Sequence, residues 1–239
     1  MANPKEIRNT VFERAFEDVL KLIDKHSAWL ESQLPRRART TTKLASDIPV
    51  NKILTSEWNS SPGLSYKSEP GVGANFDIIA ALLIRALEKD HHVVLHRVYS
   101  KEEDNHSTPA TRESSFRYWT IQLLAKALSS QSQEIFAKAA NPKDFEQSWK
   151  TFAKCVPQGK VVYIILLWTG DGTLSIEQKE DIKTMLSHCH ALTKRKIEDG
   201  ADCSLPDFKI IFLSPNPDDV RAIDQMFEAL SPHSTGDPN

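Results

Sequence analysis

The most apolar stretch of the chain is Val161-Val162-Tyr163-Ile164-Ile165-Leu166-Leu167-Trp168. Its apolar residues are continuous instead of alternating with polar ones, which is the pattern of a strand buried on both faces of a parallel sheet. We therefore predict a central parallel strand here, flanked by strands near Leu64 and Phe208. Runs rich in β-branched and aromatic residues predict further strands at 93–99 and 208–213.

Helices are predicted between and after these strands, because apolar residues recur there at helical spacing. The predicted ranges are 76–87, 114–128, 142–155, 176–196 and 217–230. Alternating strands and helices with short connections imply right-handed crossovers and a sheet covered on both faces. The expected fold class is α/β, a three-layer α/β/α sandwich with a mainly parallel sheet.

The regions outside this core differ from it in pattern. Apolar residues at helical spacing from Ile7 to Leu34 predict an N-terminal amphipathic helix, so that residues 1–34 form a helical extension. This helix either packs against the rest of the domain or docks another chain. The pattern then dissolves over 35–62, which we interpret as a linker before the core at 63–230. The tail at 231–239 is predicted to be disordered.

Composition and charge exclude several functional classes. The 30 basic and 32 acidic residues are interspersed and give a net charge of -2, which offers no field for nucleic acid. The sequence contains no run of about 18 apolar residues, so no membrane span is predicted. Three cysteines at irregular spacings argue against a disulfide framework and suit a reducing compartment, so a cytoplasmic location is expected.

A glycine-containing segment, Ser68-Glu69-Pro70-Gly71-Val72-Gly73-Ala74-Asn75, follows the strand predicted at 64–67 and precedes the helix predicted at 76–87. A working P-loop has G-x-x-x-x-G-K-[ST] in this context, because its backbone N–H groups hold phosphates, its Lys neutralises charge and its hydroxyl binds Mg²⁺. Gly73 matches the second glycine of that pattern. The first glycine, the lysine and the hydroxyl residue are replaced by Ser68, Ala74 and Asn75, respectively. Alternatively, Gly71 and Gly73 only permit a tight turn and close helix packing.

These features resemble the NACHT-type branch of the STAND signalling ATPases, especially those of fungal NOD-like proteins. The resemblance covers roughly Ile53 to Leu230 and includes Pro70-Gly71 before the second glycine. It implies a P-loop NTPase fold with a Walker B strand at Ile164-Ile165-Leu166. It also places Leu167 at the position of the Mg²⁺-binding aspartate, leaves Asp171 as the one acid kept from the acidic pair, and puts Pro215 where a sensor arginine stands.

The loss of charged groups at three motifs leads us to expect a catalytically inactive NACHT/P-loop-like domain, without a cofactor, that acts as a protein-interaction or regulatory module. Its partner is expected to be a protein that contacts it through the N-terminal helix or the helices covering the sheet. The alternative is a divergent signalling switch that binds ATP or GTP with Mg²⁺ through Asn75 and Asp171 and hydrolyses it slowly. A third possibility is an unrelated small-molecule enzyme on a P-loop-like scaffold.

The other candidate sites have weaker support as metal or catalytic sites. In His188-Cys189-His190 the two imidazoles lie at i and i+2 of a predicted helix and point about 200° apart, which excludes one shared tetrahedral ion. Cys155 has no His or Asp tied to it by a motif, so no catalytic triad is predicted. A pairing of Asp171 with Asp207 at the carboxyl edge of the sheet, where α/β proteins bind ligands, is a further hypothesis.

Overall fold

The computed structural model describes residues 17–34, 54, 64–70, 76–99, 112–126, 145–157, 159–169, 172–198 and 207–230. Within these residues the helices are α1 (Glu17–Gln33), α2 (Phe76–Lys89), α3 (Arg112–Lys126), α4 (Phe145–Cys155), α5 (Ile176–Glu198) and α6 (Pro217–Leu230). The strands are β1 (Leu64–Pro70), β2 (Val93–Tyr99), β3 (Val161–Trp168) and β4 (Asp207–Ser214). The prediction of strands alternating with helices is confirmed over this part of the chain. The predicted helix start at Ile7, most of the linker at 35–62 and the tail at 231–239 lie outside the described residues.

The four described strands form one parallel sheet in the order β1-β4-β3-β2. The α/β class and the central position of β3 are therefore confirmed, and Ile164 and Ile165 are buried as predicted. The predicted neighbours of β3 were partly wrong, because β2 and β4 flank it and β1 lies at an edge. Parallel strands are joined by crossover connections, so strands that are close along the chain need not pair.

Apolar side chains of the sheet alternate between two core clusters, because successive residues of a strand point to opposite faces. From β3, Ile164 and Leu166 join residues of α3, α4, α5 and α6 in one cluster. Ile165 and Leu167 join residues of α1 and α2 in the other. Helices therefore bury apolar side chains against both faces of the sheet.

The first strand is longer than its sequence predicted. β1 continues to Pro70, with Ser68 paired to Phe212 and Pro70 paired to Ser214 of β4. The predicted end of this strand at residue 67 is therefore wrong, because β4 supplies ladder partners along the whole of β1. Pro70 is tolerated as the last residue of an edge strand, where a missing N–H costs little.

The N-terminal helix α1 packs against the rest of the domain, which is the first of the two roles predicted for it. Leu30 and Leu34 are buried in the same cluster as α2. On the side of α3, the Nδ1 atom of His26 lies 2.8 Å from the hydroxyl oxygen of Tyr118. The described large apolar side chains from Leu20 to Leu34 are thus packed within their own chain.

Candidate functional site

The carboxyl ends of the strands meet at one edge of the sheet, because all four are parallel. This is the edge at which open α/β sheets bind their ligands. The strands end there at Pro70, Tyr99, Trp168 and Ser214. Since β1 and β3 flank β4, the segments after β1, β3 and β4 leave the sheet side by side. Three regions singled out in the sequence thus begin at adjacent points, although Gly71, Gly73, Ala74, Asn75 and Asp171 themselves lie outside the described residues.

Leu167 lies inside the core. It is 1% exposed, pairs in register with Val98 and Leu213, and belongs to the apolar cluster on the α2 face. A strand residue in this position contributes to packing and presents no ligand to a metal ion. The family resemblance aligns Leu167 with an Mg²⁺-binding aspartate. In the structure this leucine is a buried core residue.

The segment after β3 is tied down by hydrogen bonds at both of its ends. The backbone N–H of Thr169 donates to the carbonyl oxygen of Tyr99 at 3.0 Å, and the indole Nε1 of Trp168 donates to the carbonyl oxygen of Gly172 at 2.9 Å. Ser175 and Gln178 then form a capping box at the start of α5, with bonds of 2.9 and 3.2 Å. These bonds fix where α5 begins relative to the sheet.

Asp219, in the first turn of α6, is fully buried at this edge. Its carboxylate accepts the backbone N–H of Leu174 at 3.0 Å and lies 3.3 Å from the Nζ atom of Lys179. It thereby joins the segment after β3 to the start of the helix after β4. Sequence reasoning missed this residue, although an acid two residues after Pro217 at a predicted helix start was a signal for a first-turn carboxylate.

Each helix that starts after β1, β3 or β4 carries an acid in its first turn: Asp77 in α2, Glu177 in α5, and Asp218 and Asp219 in α6. Helix N-termini otherwise attract phosphate, because their free N–H groups and the macrodipole favour negative charge. A bond from its own backbone N–H and one from the Ser175 hydroxyl lower the pKa of the Glu177 carboxyl. The positive ends of these helices are therefore partly neutralised by the chain itself.

Asp77 has the most unusual environment of these acids. Its Oδ1 atom is buried and has no hydrogen-bond partner among the described residues. Burial raises the pKa of this carboxyl, and a bond from its own backbone N–H offsets only part of that rise. The start of α2, where a P-loop would hold phosphate, thus presents a poorly solvated carboxylate.

The remaining candidates do not form a second site. Asp207 is the first residue of β4, so it lies at the amino edge, and the hypothesis that it sits at the carboxyl edge is wrong. His188 points its Nδ1 atom at the carbonyl oxygen of Thr184, 2.8 Å away, and packs on Trp149. Within the described residues no group of His, Cys, Asp and Glu side chains could hold a metal ion.

The two described cysteines are free and buried. Burial raises the pKa of the Cys155 thiol to about 12 and also raises the pKa of Cys189. A nucleophilic cysteine needs its thiolate form. Neither thiol is therefore suited to catalysis at neutral pH.

Comparison of the chain with protein-family models, with curated proteins and with solved structures finds no match. None of the described helices combines the length and the apolar character that a bilayer crossing requires. The functional assignment consequently depends on the residues at the carboxyl edge.

Proposed function

We propose that this chain is a catalytically inactive domain of the NACHT type, built on a P-loop NTPase-like three-layer α/β/α scaffold, and that it acts as a protein-interaction or regulatory module in the cytoplasm. The observation that carries the proposal is the acid in the first turn of each helix following β1, β3 and β4. A phosphate brought to this edge meets the exposed carboxylates of Glu177 and Asp218. Asp77 lies at the start of the helix that follows the segment where a P-loop would bind it.

The missing positive charge adds to this effect. A hydrogen bond to a charged group contributes about 1.5–3 kcal/mol, and a tenfold change in affinity corresponds to about 1.4 kcal/mol. Having Ala74 where a P-loop has lysine therefore weakens nucleotide binding by roughly one to two orders of magnitude. The buried Leu167 leaves no carboxylate at the Mg²⁺ position implied by the resemblance.

The bond between Asp219 and Leu174 also favours a module over a switch. A nucleotide switch requires segments that rearrange when the terminal phosphate is present or absent. Here the segment after β3 and the start of α6 are held together by a buried carboxylate. The described part of this edge is therefore built to keep one arrangement.

One observation favours the alternative, a divergent ATP or GTP switch. The strand order brings the ends of β1, β4 and β3 together, so residues after β1 and β3 start from adjacent strands of one edge. In that alternative Asn75 and Asp171 serve as ligands for Mg²⁺ and phosphate. The same experiment separates the two functions.

The test is calorimetric titration of the whole chain with Mg·ATP and Mg·GTP, together with an assay for released phosphate. We expect no binding in the low micromolar range and no phosphate above background. Tight Mg²⁺-dependent binding by the unmodified chain would overturn the inactive domain and support the switch.

A restored variant shows whether lost charge is the cause. It carries Ala74→Lys, Asn75→Ser and Asp77→Asn, and its matched control has Ala74→Met in place of Ala74→Lys. The lysine variant should gain measurable nucleotide affinity and the methionine variant should not. Failure of both would confine the resemblance to the fold, with Gly71 and Gly73 serving the turn alone.

A further inference from the structure

We draw no further inference here: the strongest candidate, the buried polar cluster of Tyr99, Gln178 and Asp181 between the end of β2 and the first turns of α5, is at most 2% exposed, and nothing in the described part of the chain shows what would bind the buried Nε2 atom of Gln178.

Discussion

Asp219 receives the backbone N–H of Leu174 on both oxygens of its carboxylate, at 3.1 and 3.0 Å, although the two residues are 45 positions apart in the chain. Lys179, the fourth residue of α5, approaches the same carboxylate. Because buried charges are tolerated only when they are paired and hydrogen-bonded, this contact ties the segment after β3 to the segment after β4.

Replacing Asp219 with Ala should therefore destabilise the domain by about 2–4 kcal/mol, because it leaves a buried N–H and an amine without their acceptor. Urea unfolding of the whole chain measures this loss. The matched control is Asp218→Ala, since that carboxylate is exposed and pairs only with Arg221 among the described ion pairs. It should change stability by less than about 1 kcal/mol. Equal losses in the two variants would contradict a special role for Asp219.

Gln122 covers the backbone of one residue of β2, which is an outer strand of the described sheet. Its amide accepts the backbone N–H of His96 and donates to the carbonyl oxygen of the same residue, both at 3.1 Å. Edge strands with free backbone groups pair with other chains, and proteins cover them to prevent it. The Gln122→Leu variant should lose about 1–3 kcal/mol of stability and form soluble oligomers on light scattering. Gln225→Leu, on the exposed side of α6, should remain monomeric; oligomers there too would point to added surface hydrophobicity instead.

Local pattern was enough to predict the elements, because each is specified by its own residues. The continuous apolar run of β3 requires burial on both faces of the sheet. The apolar residues of α6 recur at helical spacing and require one buried face. The predicted bounds of β2 and α6 are those in the structure. Element type could therefore be inferred before any contact was known.

Contacts between distant segments were not predictable in the same way. The order β1-β4-β3-β2 depends on crossover connections, which leave no trace in the composition of a strand. The ladder from Ser68 to Pro70 exists because β4 extends to Ser214. Likewise, nothing near Leu174 in the sequence indicates Asp219 as its partner. The acid in the first turn of each helix was visible in the sequence, but its meaning depended on those helices starting at one edge.

His91 lies two residues after the end of α2 and adopts the left-handed region, with φ of 60°. The N–H groups of His91 and His92 donate to the carbonyl oxygens of Glu88 and Leu87, which is the bond pattern of a Schellman motif. Glycine is favoured at the position of His91 because a side chain there is strained. The His91→Gly variant should gain about 0.5–1 kcal/mol in thermal or urea unfolding. His92→Gly should instead lose stability, because the His92 ring packs 5.0 Å from that of Tyr163; a gain in both variants would contradict this explanation.

Asp77 should make the stability of the domain depend on pH in a specific direction. Burial raises the pKa of its carboxyl above the ordinary value of 3.8. A carboxyl whose pKa is higher in the folded state favours folding while it is protonated, and this contribution is lost as pH rises through the folded pKa. At pH 7 the ionised, partly buried carboxylate therefore costs stability, and the uncharged Asp77→Asn variant should unfold at higher urea concentration than the wild type. Well below pH 3.8 this carboxyl is protonated in both the folded and the unfolded wild type, so the difference from Asp77→Asn should disappear. The control is Asp24→Asn, which removes a solvent-exposed negative charge from α1. It should change stability by less than about 0.5 kcal/mol at pH 7. If Asp77→Asn instead lowered stability at pH 7, the carboxylate would be stabilising the start of α2 as an ordinary first-turn acid, and its burial would not be the dominant effect.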